Sequence, residues 1–161
     1  MKMRLMSAAI FSSFLLMSAP AQARLGWSLK DCQQRYGQDT LTSNRAYPEI
    51  HVFHTNDIEI HIVFRNETAT LVTYLKTIAK KGFDQDEIDS ILDKNADGGE
   101  WGSPQAFTDQ GTKYTLSFAT KRGEWVERAE YDQTGDNAGM LTIQTKAEYY
   151  FGKQLHNIDG V

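Results

Sequence analysis

The chain has 161 residues, with 17 lysines and arginines against 21 aspartates and glutamates, a net charge of −4 and one cysteine. A chain of this size can hold one domain on its hydrophobic core alone, and a lone cysteine excludes an internal disulfide. The acidic balance, with its positive charges scattered, argues against nucleic acid or an anionic membrane as partner, because both require clustered cations.

The first 23 residues have the form of a secretory leader. Lys2 and Arg4 give a positive start, an apolar run extends from Ala8 to Met17, and Ala21-Gln22-Ala23 supplies the small residues of a cleavage site. An apolar run of about ten residues falls short of the roughly twenty needed to cross a bilayer. The expectations are cleavage after Ala23, one domain over 24–161, a periplasmic or secreted location, and no stable membrane insertion of the mature chain. Losing Lys2 and Arg4 takes the net charge to about −6.

A first short helix follows. Ser28 is a good N-cap with Asp31 three residues on, Trp27 before the cap is placed to pack on Cys32, and Gly37 terminates. Leu29, Cys32 and Tyr36 share one helical face, so Cys32 reads as a small buried apolar residue rather than a reactive thiol. The polar stretch QDTLTSNRAYPE then leads into a hairpin turning at Thr55-Asn56-Asp57. In its second arm Ile58, Ile60, Ile62 and Phe64 alternate onto one face. A turn at Arg65-Asn66-Glu67 opens a third strand, ATLVTYLKT.

The pattern then restarts. Phe83 precedes an Asp84 N-cap with Glu87 at the third helical position, and Ile88, Ile91 and Leu92 share a face. Trp27, Ser28, Asp31 and Cys32 correspond in spacing to Phe83, Asp84, Glu87 and Ile88. Three strands follow: KYTLSFA, EWVERAEYD and GMLTIQT. In the middle one, alternation places Trp125, Ala129 and Tyr131 towards the core and Val126, Arg128 and Glu130 outward. The tail, TKAEYYFGKQL, has the capping pattern of another short helix. The expected fold is α+β: two short helices packed on antiparallel sheet, with 24–80 and 81–151 read as a tandem α-β-β-β repeat.

The opening GWSLKDCQQRYG ahead of a meander resembles the unit of β-lactamase inhibitory protein and the small lipoproteins that help assemble outer-membrane barrels. CQQRYG, with ILDKN before Trp101, is similar to uncharacterised small secreted bacterial proteins that open with a Cys-x-x-Arg-Tyr-Gly helix. These resemblances imply a fold and a compartment, and bring no activity.

Three constellations could carry chemistry. Asp93, Asn95 and Asp97 match positions one, three and five of a calcium loop, with Gly98 at the turn, but Pro104 stands where a bidentate carboxylate would close the site. The competing reading is a helix C-terminus in which Gly98 and Gly99 allow positive φ. His51, His54, His61 and Glu59 are zinc-type ligands, although His51 and His54, three apart, fall on opposite faces of a regular strand. The carboxylate pairs Asp84/Asp86 and Glu127/Glu130 are of a kind any acidic chain contains, and no cofactor is implied. The aromatic residues Trp27, Trp101, Trp125, Tyr149, Tyr150 and Phe151 are many large side chains for a small domain; most are expected in the core, and any left exposed on a sheet face would suit a binding surface. The expected function is a non-enzymatic protein-binding or inhibitory module for an unknown extracytoplasmic protein. The alternative is a small secreted hydrolase with its site at the hairpin ends.

Overall fold

The computed structural model describes residues 23–55, 57–77, 82–96, 98–109, 112–132 and 139–158. The leader up to Gln22, the turn residue Asn56, the loop residue Asp97 and the turn 133–138 lie outside the described residues.

The first helix, α1, spans Leu29–Tyr36 and starts on a reciprocal cap. The Asp31 N–H donates to Ser28 Oγ at 3.2 Å, and the Ser28 N–H donates back to the Asp31 carboxylate at 3.0 Å. It ends at Gly37, whose φ of 88° favours glycine and whose N–H reaches the Gln33 carbonyl at 2.9 Å. The second helix, α2 (Gln85–Asn95), repeats the device, with Asp84 and Glu87 exchanging two bonds of 2.9 Å. Each box satisfies two backbone donors that a helix start leaves open.

The meander between them is β2 (Ile50–His54), β3 (Ile58–Arg65) and β4 (Thr68–Lys76). β3 and β4 are joined by the two-residue turn Asn66-Glu67, with φ of 48° and 65°, the left-handed pair that a twisted hairpin requires. After α2 come β7 (Thr112–Lys121), β8 (Glu124–Asp132) and β9 (Met140–Thr145), the first two joined by a similar turn at Arg122-Gly123. Three short strands were not expected: β1 (Thr40–Thr42), inside the polar stretch, and β5 (Glu100–Trp101) and β6 (Gln105–Asp109), both pairing with β7. They pair at the margins of the sheet, where partner strands override weak local preference.

Among the described residues these strands form one antiparallel sheet in the order β1-β2-β3-β4-β9-β8-β7-β5, with β6 also on β7. One face carries the main core. Phe53, Ile60, Ile62, Val72, Tyr74, Leu141 and Ile143 are nearly or fully buried there against Cys32, Phe83, Ile91 and Leu92 from the helical segments. Burying each large side chain contributes about 1.5–3 kcal/mol before entropy is counted. Ile58, Ile60, Ile62 and Phe64 all join this cluster, as their alternation predicts.

The sequence-based expectation of two helices needs correction. A third, α3 (Lys146–Ile158), closes the described chain and packs on β4, β8 and β9. Its start is fastened to the sheet: the Glu148 carboxylate, 3% exposed, accepts from Thr70 Oγ1 at 2.8 Å and lies 3.4 Å from Arg65 nitrogens. Among the described residues, no helix is long and apolar enough to cross a membrane.

Candidate functional site

Strand register decides which chemistry meets which. His51 lies opposite Ile62 and His61 opposite Val52, so His51 and His61 occupy different faces of the sheet. His54 and Glu59 are direct cross-strand partners on the outer face, and His61 joins them two residues along. The Glu59 carboxylate lies 2.5 Å from His61 Nε2 and 3.5 Å from His54 Nδ1. Among the described residues no group of three or more His, Cys, Asp or Glu side chains is arranged to hold a metal ion.

His51 is nearly buried and sits between two carboxylates. Nδ1 is 2.5 Å from Asp39 and Nε2 is 2.9 Å from Glu49. Each ring nitrogen is thus turned to a carboxylate, and neither faces open solvent. Burial pushes the Asp39 carboxyl up, but hydrogen bonds from Gln33 and His51 outweigh it and hold the group below the usual carboxylate value. The cluster ties the entry of β1 to β2 beside a cleft of about 200 Å³ lined by Tyr47, Glu49, Phe64 and Arg65.

The calcium-type residues are distributed otherwise. Asp93 is exposed, and Asp97 lies outside the described residues. Asn95 is 2% exposed and fully engaged: its Oδ1 accepts the Leu25 N–H at 2.9 Å, and its Nδ2 donates to the Ile91 carbonyl at 2.9 Å. That amide also lies 3.3 Å from the Tyr74 hydroxyl and 3.4 Å from the Ala23 carbonyl, which in turn accepts from Tyr74. Gly98 has the expected positive φ of 73°, whereas Gly99 serves close approach instead. A Cβ there would stand 3.0 Å from the Ala96 carbonyl oxygen and 3.1 Å from that of Thr120.

Cys32 is fully buried, and burial, with the charges of Asp31 and Asp39, pushes its thiol up to about 12. Glu127 and Glu130 fall on opposite faces, Glu127 buried and Glu130 paired with Arg128. Asp84 is spent on its cap and Asp86 is exposed.

The aromatics divide. Trp27 stacks on Tyr36 and packs on the core, while the indole N–H of Trp101 donates to the Leu92 carbonyl at 2.7 Å. Trp125 departs from the alternation read in the sequence. Ala119 pairs with Glu127 but Thr120 with Trp125, so Val126 is an extra residue, a β-bulge that moves Trp125 to the face opposite Ala129 and Tyr131. There its ring meets Phe118 at 5.5 Å, Tyr149 at 5.7 Å and Tyr150 at 5.9 Å between centroids. Arg128 and Lys153 stand over Tyr149, and Lys146 over Trp125, each within 5.4 Å of a ring centre. Tyr150 is 49% exposed and Phe151 39%, so the cluster opens to solvent at the α3 end of the outer face.

Against protein-family models, curated proteins and solved structures, the chain shows no significant match in any of the three comparisons.

Proposed function

We propose that the protein is an exported, non-enzymatic binding or inhibitory module that docks an extracytoplasmic protein through its outer sheet face. The observation that carries this reading is the cluster of Phe118, Trp125, Tyr149 and Tyr150 beneath three cationic side chains, on the face away from α1 and α2. Large rings with a polar tip and nearby guanidinium or ammonium groups are the composition of interface hot spots. The leader, cleaved after Ala23, would deliver the domain to the periplasm or beyond, and the acidic balance of the chain disfavours nucleic acid as the partner.

The same reading takes 24–80 and 81–151 as two copies of one helix-and-meander unit. In support, both helices open on reciprocal capping boxes, and each half runs from a sheet margin to the central β4–β9 pair in chain order. Two α-β-β-β units joined this way cover one face with α1 and α2, while α3 crosses part of the other and leaves its aromatic end for a partner.

Affinity capture from periplasmic extract with the mature domain, run beside Trp125→Ala and Tyr150→Ala, tests the proposal. The expected result is a partner retained by the wild type and lost by both variants. Identical retention by all three, or hydrolysis of ester, peptide or glycosidic substrates by the purified domain with nothing captured, would overturn it.

A further inference from the structure

On the inner face the two halves of the sheet are filled differently. β2 and β3 present Phe53, Ile60 and Ile62, whereas the corresponding positions of β7 and β8 are Ser117, opposite Ala129, and Ala119. Small side chains beneath α2 leave a cleft of about 210 Å³ walled by Phe83, Ile88, Leu92 and Leu141, with Ser117 and Ala129 also lining it. An engineered apolar cavity of about 150 Å³ is large enough to take benzene. This cleft therefore holds one substituted ring.

Two features separate it from a packing gap. Ser117 is only 5% exposed and lines the cleft, the side from which its hydroxyl can be reached by an occupant or by water. An occupant that displaced water from this hydroxyl without bonding it would leave it unmet, so its natural complement is a polar atom on whatever fills the cleft. The lining also includes no acid, lysine, arginine or histidine. A charged occupant would lose its hydration without gaining a counter-charge.

We propose that this cleft is a binding site for a small neutral ring compound bearing one hydroxyl, with the ring between α2 and the sheet and the hydroxyl on Ser117. The site lies across the sheet from the Trp125 cluster, so it can be filled without contact with a protein partner.

Amide NMR titrations of the folded domain with 4-methylphenol, toluene and 4-methylbenzoate test this. The phenol should give saturable shifts centred on Ser117, Ala129 and Ile88. Toluene should bind the same place about three- to tenfold more weakly, as one net hydrogen bond requires, and the anion should not bind there. Ser117→Ala should erase the preference for the phenol while keeping toluene binding. Ala129→Leu should fill the cleft and abolish both; if that variant loses its fold, the serine variant still decides. Absence of saturable shifts with both neutral probes, equal binding of the anion, or an unchanged preference in Ser117→Ala would each overturn the proposal.

Discussion

Asn95 is the residue on which a structural and a ligand-binding role diverge most sharply, and Asn95→Ala separates them. The substitution removes the acceptor of the Leu25 N–H and the donor to the Ile91 carbonyl, both at 2.9 Å, along with weaker contacts to Tyr74 and Ala23. Leaving a buried donor unmet costs about 1–3 kcal/mol, and the void left by the lost amide adds to it, so a total of about 2–4 kcal/mol is expected. That is a large share of the roughly 5–15 kcal/mol that holds a domain together. Urea unfolding of the domain begun at Ala23 should show the loss as a lower midpoint with an unchanged slope. The loss should be equal in calcium and in chelator. A change below about 0.5 kcal/mol would refute the latch, since surface substitutions fall within that range. A calcium-dependent change would restore Asn95 as a metal ligand. In a chain begun at Arg24 the Ala23 carbonyl is absent and Tyr74 has already lost that acceptor, so the same substitution should cost less.

Three further outcomes are expected. Glu67 adopts φ of 65° in a two-residue turn after Asn66. Relief of a left-handed strain of about 1–2 kcal/mol outweighs the roughly 0.4–1 kcal/mol cost of glycine's freedom in the unfolded chain, so Glu67→Gly should raise stability in thermal or urea unfolding. The Asp39 carboxyl is held below its ordinary value of 3.8 by bonds made only in the folded state. Its stabilisation is thus complete above that value and is lost as pH falls through the lower folded value; across this acid range the wild type should lose more stability than Asp39→Asn. Cys32, buried with its thiol raised to about 12, should resist a disulfide reagent in the native state at mildly alkaline pH and react at once in denaturant.

The parts of the fold legible in the sequence are those governed by local rules. Ser28 with Asp31, and Asp84 with Glu87, mark both helix starts because capping is a contact within four residues. The alternation of Ile58, Ile60, Ile62 and Phe64 marks a buried strand face because side chains of a regular strand repeat every two residues. Leu41 and its neighbours gave no such signal. β1 is three exposed residues, and it is a strand only because β2 offers a free edge. The Asp39–His51–Glu49 contact was equally hidden, since it depends on β1 bringing Asp39 back beside β2, twelve residues away in sequence from His51.

The outer surface was least legible because it is assembled where the period of two breaks. Val63 pairs with Leu71 but Phe64 with Ala69, which leaves Thr70 as the extra residue of β4, and its hydroxyl reaches the buried Glu148 at the start of α3. Val126 is the extra residue of β8, and the shift it causes delivers Trp125 to Tyr149 and Tyr150 of the same helix. Each bulge therefore redirects side chains from a regular strand onto α3. A bulge adds local twist and turns a side chain away from its regular face. Restoring regular alternation by inserting one residue between Ala119 and Thr120, to pair with Val126, would return Trp125 to the inner face with Glu127, Ala129 and Tyr131. The loss of the outer aromatic cluster would then come from register alone, with every aromatic residue still in the chain.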